Sequence, residues 1–248
     1  MRTIIKAGVT LALAITVGGT PLFAQSAEEV IRRMEVNQTH DTSYIEGRMI
    51  ITDRFGSRTS SFEMYSEGEE NVLVEFTSPG EAGQKVLRTE DEIYLFYPDA
   101  AELIRLQGSA LRESMLGSDV SYEDMTGNRG ILDTYQATLL GRETVRGYDC
   151  YVVELEATSR DVAYPRQRLW IDSDLFVMRR SEQYALSGRL LKEIVVTDLM
   201  ERSGRVFPSA MTISDTLKAN SSTEFLVDKA EIGIRLPRNI FSLEELTW

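Results

Sequence analysis

The spacing of apolar residues changes twice along this chain, and each change marks a different element. Ala7 to Val17 form a short, nearly continuous apolar run. After it, Ser26 and Glu29 have the spacing of a capping box, in which the hydroxyl serves the N3 amide and the carboxylate reaches back. Val30, Ile31 and Met34 make an apolar stripe at helical spacing, which predicts a helix ending near Asn37 to His40. From Tyr44 onward the period falls to two. Turn residues then recur at short intervals, among them Pro79-Gly80, Pro98-Asp99, Arg146-Gly147, Ser187-Gly188 and Ser203-Gly204. Short β-rich runs between regular turn signals predict an antiparallel sheet or barrel of about eleven strands, with few helices, rather than βαβ units.

Several of these strands are apolar on both faces. In "EIYLFY" the set Ile93, Leu95 and Tyr97 alternates with Tyr94 and Phe96, and in "NVLVEF" Val72, Val74 and Phe76 alternate with Leu73. A sheet with one wet face would alternate apolar with polar. Each such strand is therefore either sandwiched between a helix and a second sheet, or lines an apolar cavity.

The first apolar run reads as an export signal. Arg2 and Lys6 precede it, Gly18 to Pro21 break it, and Leu22-Phe23-Ala24 offers a cleavage site. The run is too short to span a bilayer comfortably. No cysteine follows it for lipid attachment. The expectation is an exported, periplasmic protein: residues 1–24 as signal and 25–248 as one domain. Removing Arg2 and Lys6 takes the formal net charge from −12 to −14. That balance argues against nucleic acid and against electrostatic docking on anionic headgroups, which need basic patches. Cys150 is the only cysteine, so stability comes from packing rather than disulfides.

Candidate chemistry is sparse. "GSDVSYEDM", Gly117 to Met125, gathers Asp119, Glu123 and Asp124. It fails as a calcium loop, which would need glycine at Asp124 and glutamate at Gly130. Paired glycosidase acids are not excluded by composition, but adjacent acids are commoner at a solvated helix end. Ser121 with Asp124 fits a helix cap, and acids in the first turn complement the helix dipole. His40, the only histidine, is expected at the surface beyond the first helix. No G-x-S-x-G elbow, metal cluster or phosphate loop appears, and Cys150 reads as a packed thiol. The chain is read as a non-enzyme with no metal and no cofactor.

The stretches "EFTSPGEAGQKVLRTEDEIYLFYPDAAELIRL", "GSDVSYEDM", "LWIDSDLFVMRRSEQYALSGRLLKEIVVTDL" and "LPRNIFSLEELTW" together resemble the outer-membrane lipoprotein-sorting-protein-like family, related to the LolA and LolB carriers. The resemblance runs across nearly all of the mature chain. It implies a curved, incompletely closed antiparallel β-barrel with helices covering its concave face. It also implies a non-covalent activity, in which an apolar cavity shields the acyl chains of a lipoprotein or another lipid in transit. The implied partners are that cargo, an inner-membrane exporter and an outer-membrane acceptor. Choosing one phase of each strand nominates Met49, Ile51, Val72, Val74, Phe76, Tyr94, Phe96, Trp170, Phe176 and Met178 as cavity wall. The segment from Gln107 to Met125 is the expected lid, with Leu111, Met115, Leu116, Tyr122 and Met125 at the mouth. "FSLEEL" repeats the cap logic through Ser242 and Glu245, predicting a short closing helix.

Two other functions stay open, the first from the resemblance and the second from the acids of "GSDVSYEDM". One is an envelope sensor or regulatory module that binds lipid or protein. The other is an envelope enzyme using Asp119, Glu123 or Asp124.

Overall fold

The computed structural model describes residues 25–68, 70–89, 92–127, 130–160 and 162–247. The expected export signal, residues 1–24, lies outside them. Helix α1 (Ala27–Gln38) forms where the apolar stripe predicts it, with the Ser26 hydroxyl accepting from the Glu29 amide at 3.2 Å. Its buried face is Ala27, Val30, Ile31 and Met34.

Among the described residues the strands number thirteen, not about eleven, and they form one antiparallel sheet. The first six are β1 (Thr42–Asp53), β2 (Gly56–Glu67), β3 (Asn71–Phe76), β4 (Lys85–Thr89), β5 (Glu92–Tyr97) and β6 (Glu102–Leu106). A crossover follows, with 3₁₀ turns at Gly108–Arg112 and Met115–Gly117 and short helices α2 (Tyr122–Thr126) and α3 (Ile131–Thr134). The second run is β7 (Tyr135–Val145), β8 (Tyr148–Ala157), β9 (Arg166–Asp172), β10 (Met178–Tyr184), β11 (Leu190–Arg202), β12 (Arg205–Asp215) and β13 (Ser222–Ile232). Helix α4 (Leu243–Leu246) closes the described chain, with the Ser242 hydroxyl accepting from the Glu245 amide.

The strand order is 6-5-4-3-2-1-13-12-11-10-9-8-7. Consecutive strands pair throughout, except β6 and β7, and the first and last strands, β1 and β13, meet in mid-sheet. The two sheet edges, β6 and β7, are joined by the crossover. The sheet is strongly curved, because Val72 on β3 and Leu155 on β8 line the same cavity.

Register carries one inner face across the first half of the sheet. Ile45 pairs with Met64, Met64 with Val74, Val74 with Val86, and Val86 with Leu95. Beside this row a bulge sets the extra residue Asp228 of β13 against the Glu46–Gly47 step of β1 and bends the pair. A Cβ on Gly47 would lie 2.6 Å from the Phe62 ring and 2.7 Å from the Leu226 carbonyl oxygen. Only glycine lets that ring seat on the bend. The inner core of this half includes Met49, Ile51, Phe62, Val74, Phe76 and Val86, with Met115, Val120, Tyr122 and Met125 of the crossover packed on it.

The outer face is covered as well. Leu73, Leu87 and Phe96 pack under Leu246, with Tyr94, Ile240 and Phe241 alongside. This explains strands that are apolar on both sides: the crossover lies on one face and the C-terminal segment on the other. In the second half, α1 fills the inner face against Tyr135, Val153, Leu155, Leu169 and Ile171.

Candidate functional site

The crossover is a plug fastened to the sheet by the three acids of "GSDVSYEDM". Asp119, 1% exposed, accepts from the Ser221 hydroxyl at 2.8 Å, the Thr223 hydroxyl at 3.0 Å and the Asp215 amide at 3.2 Å. It thereby holds the β12–β13 hairpin. Glu123 pairs with Arg88 of β4 at 2.9 Å, both side chains largely buried, and Arg88 also donates to the Thr126 hydroxyl at 3.0 Å. Asp124 completes the predicted capping box with Ser121 and also ion-pairs with Lys192 of β11, their side chains 7% and 6% exposed. The acids expected at a solvated helix end are thus buried and paired.

Their electrostatics follow from that burial. Desolvation pushes the Glu123 carboxyl above its usual value, against the opposing pull of Arg88. Burial also works against the Lys192 ammonium, but Asp124 and Tyr164 outweigh it and raise its pKa. The Tyr164 phenol, buried beside Asp124, is pushed up to about 12. Such a buried, bonded cluster fixes one position of the plug on the sheet.

A cavity of about 430 Å³ remains between α1, the α2–α3 region and the inner face of the sheet. Its apolar lining includes Ile45, Val72, Leu155, Leu169, Ile194 and Phe207, and five methionines: Met34, Met64, Met125, Met178 and Met211. Methionine is unbranched and polarizable, so this lining can adapt to an irregular apolar shape. A polar row crosses it, Gln167 pairing with Gln183 across β9 and β10, with Ser181 adjacent. The rim is α1 and its end. Glu35 accepts from the Ile131 amide at 2.6 Å, Asn37 donates to the Leu175 carbonyl at 2.8 Å, and Arg205 donates to the Thr39 carbonyl at 3.0 Å. His40 also lines this rim, edge-on to the Phe207 ring at 5.8 Å, rather than standing free at the surface.

The nominated wall residues divide by face. Val72 and Met178 line the cavity. Met49, Ile51, Val74 and Phe76 share the inner face but lie in the core beneath the plug. Tyr94 and Phe96 occupy the outer face, and Ile93 and Leu95 take the inward phase of β5 instead. Trp170 is also away from the cavity, packed with Cys150 and Val152. Phe176 sits in the α1 cluster with the Arg33 guanidinium 3.5 Å from its ring centre. Of the lid residues, Met125 lines the cavity, Met115 and Tyr122 are buried in the plug, and Leu111 and Leu116 pack partly buried against it. Sequence reasoning missed Met34, Met64 and Met211. Met64 was legible as the register partner of a wall residue, Val74.

The site offers binding surface more than reactive groups. Among the described residues no group of three or more histidine, cysteine, aspartate or glutamate side chains is placed to hold a metal ion. Cys150 is a buried free thiol whose pKa burial pushes up to about 11, which leaves it protonated and unreactive near neutral pH. Among the described residues no helix is long and apolar enough to cross a membrane.

An open antiparallel sheet wrapped around helices and an apolar cavity defines a LolA-like fold. A LolA superfamily protein from Nitrosomonas europaea superposes with a TM-score of 0.75 at 24% identity, over 90% of this chain and 100% of its own. A structure described as an outer membrane lipoprotein-sorting protein domain, from Vibrio parahaemolyticus, gives 0.82 at 20% identity, covering 90% of this chain and 98% of that one. A DUF1329 family protein from Desulfovibrio piger gives 0.82 at 25% identity, covering 89% and 97%. A family model described as "uncharacterized protein"-like matches residues 68–248, and the chain belongs to that family. No curated protein matches the sequence significantly.

Proposed function

We propose that this protein is a periplasmic carrier that takes up the acyl chain of a lipid or lipoprotein and hands it toward the outer membrane or to an exporter system. The observation that carries this reading is the methionine-rich cavity of about 430 Å³ between α1, the plug and the sheet. Cavities of a few hundred Å³ with apolar walls and a few polar groups are the usual form of small-molecule sites. A methylene fills about the volume of a water molecule, roughly 30 Å³, so the cavity takes on the order of fourteen methylenes. That is one acyl chain. Each buried methylene contributes about 0.8 kcal/mol, so one chain suffices for firm binding without covalent chemistry. The export signal read in residues 1–24 and the likeness to a lipoprotein-sorting domain support the same reading.

The test is native mass spectrometry of protein exported to a bacterial periplasm and purified without detergent, before and after solvent extraction. A bound lipid or acylated peptide of defined mass is expected. Ala230→Phe, which fills the cavity from β13, should lower uptake of a fluorescent fatty acid at least tenfold while leaving the circular dichroism spectrum unchanged. An empty protein that takes up no apolar probe would sink the carrier reading.

A further inference from the structure

A second cavity, of about 550 Å³, lies at the open seam of the sheet. Its walls come from both edges: Arg105 and Leu106 on β6, Tyr135 on β7, and the loop carrying Arg160 and Ala163. Among the described residues four arginines line it, Arg88, Arg105, Arg112 and Arg160, against two carboxylates, Glu92 and Glu123. This local excess of positive charge stands in a chain of formal net charge −12.

Two of the four are already paired. Arg105 bridges to Glu92, and Arg88 to Glu123 at 2.9 Å. Arg112 donates to the Ala163 carbonyl at 3.3 Å. Among the described residues neither Arg112 nor the exposed Arg160 has a carboxylate partner. Arg112 and the exposed Arg160 thus present guanidinium forks to the concavity, the groups that grip phosphate in two-point bonds. A concave, low-dielectric wall strengthens their field.

The seam pocket adjoins the apolar cavity, because Glu123 lines both. The Arg88–Glu123 ion pair stands where the two linings meet. A molecule with an acyl tail in one and an anionic head in the other would match both linings. We propose that the seam pocket receives the phosphate of an amphiphile whose acyl chain occupies the apolar cavity. This rests on the carrier reading and narrows its cargo to anionic lipids.

The experiment compares binding of three probes to the exported, delipidated protein: 1-myristoyl lysophosphatidic acid, 1-myristoylglycerol with the same single chain, and inorganic phosphate. The variant combines Arg105→Gln, Arg112→Gln and Arg160→Gln, all exposed and outside the core. The lysophosphatidic acid is expected to bind at least tenfold tighter than myristoylglycerol, with the gap shrinking as salt rises. The triple variant should lose that gap and keep its myristoylglycerol affinity. Equal binding of both lipids by the unaltered protein would overturn the phosphate site and leave the carrier reading standing. Failure to bind either lipid would overturn both. If inorganic phosphate binds as tightly as the lysophosphatidic acid, and the variant loses both, the pocket takes free phosphate and the lipid source is overturned.

Discussion

His40 shows how one residue at the cavity rim ties stability to pH. Burial holds its imidazole below the usual 6.5, Arg205 pushes the same way, and Asp41 opposes them. Its Nδ1 is buried with no hydrogen-bond partner among the described residues. The folded protein therefore keeps this ring neutral where the unfolded chain accepts a proton. The unfolded state binds more protons as pH falls through 6.5, so stability must drop in that window and recover above it. Thermal melting between pH 7.5 and 5.5 should show wild type losing more stability than His40→Asn. Parallel losses in the two proteins would mean that carboxylates alone set the acid limb. The same ring packs edge-on against Phe207, so substitution should also loosen the rim and weaken retention of a bound chain.

At the scale of elements, the plug is the piece whose stability bears most directly on the cavity. Breaking a buried ion pair by removing one partner typically costs about 3 to 5 kcal/mol, because the remaining charge stays buried and unpaired. Loss of a helix cap alone costs about 1 kcal/mol. Asp124→Ala leaves Lys192 facing only Tyr164 and should fall in the larger range by urea denaturation. Adding Lys192→Met should recover most of the deficit, since a neutral side chain of similar length needs no counter-ion. A deficit near 1 kcal/mol, unchanged in the double variant, would reduce Asp124 to a cap. The cap itself was legible: Ser121 and Asp124 sit three residues apart, and so do Ser242 and Glu245. The clamp was not, because Arg88, Lys192 and Thr223 lie far from these acids in sequence and reach them only through sheet closure. The phase of β5 was hidden for a related reason. Ile93 and Leu95 face the plug while Tyr94 and Phe96 face the C-terminal segment, so the pattern is apolar both ways.

For the whole molecule, the topology decides where the proposed carrier would open. The first and last strands pair in mid-sheet, so the sheet's unpaired edges are β6 and β7, and opening is expected at that seam or at the rim under α1. The plug bridges that seam, and its three acids grip β4, β11 and the β12–β13 hairpin. A cavity held in this way has a fixed capacity. Affinity for single-chain fatty acids should then rise about fourfold per methylene, the equivalent of roughly 0.8 kcal/mol each. The rise should stop at about fourteen methylenes, where added carbons extend into water. Isothermal titration across a series from ten to twenty carbons reads this directly. A plateau near the calculated length means that the plug stays seated while the chain is held. Affinity that keeps climbing to twenty carbons means that the plug yields, and the variant Asp124→Ala should then bind the longest chains faster than wild type. That second outcome would make the buried clamp the element that controls loading, with the volume between α1 and the plug setting only where binding begins.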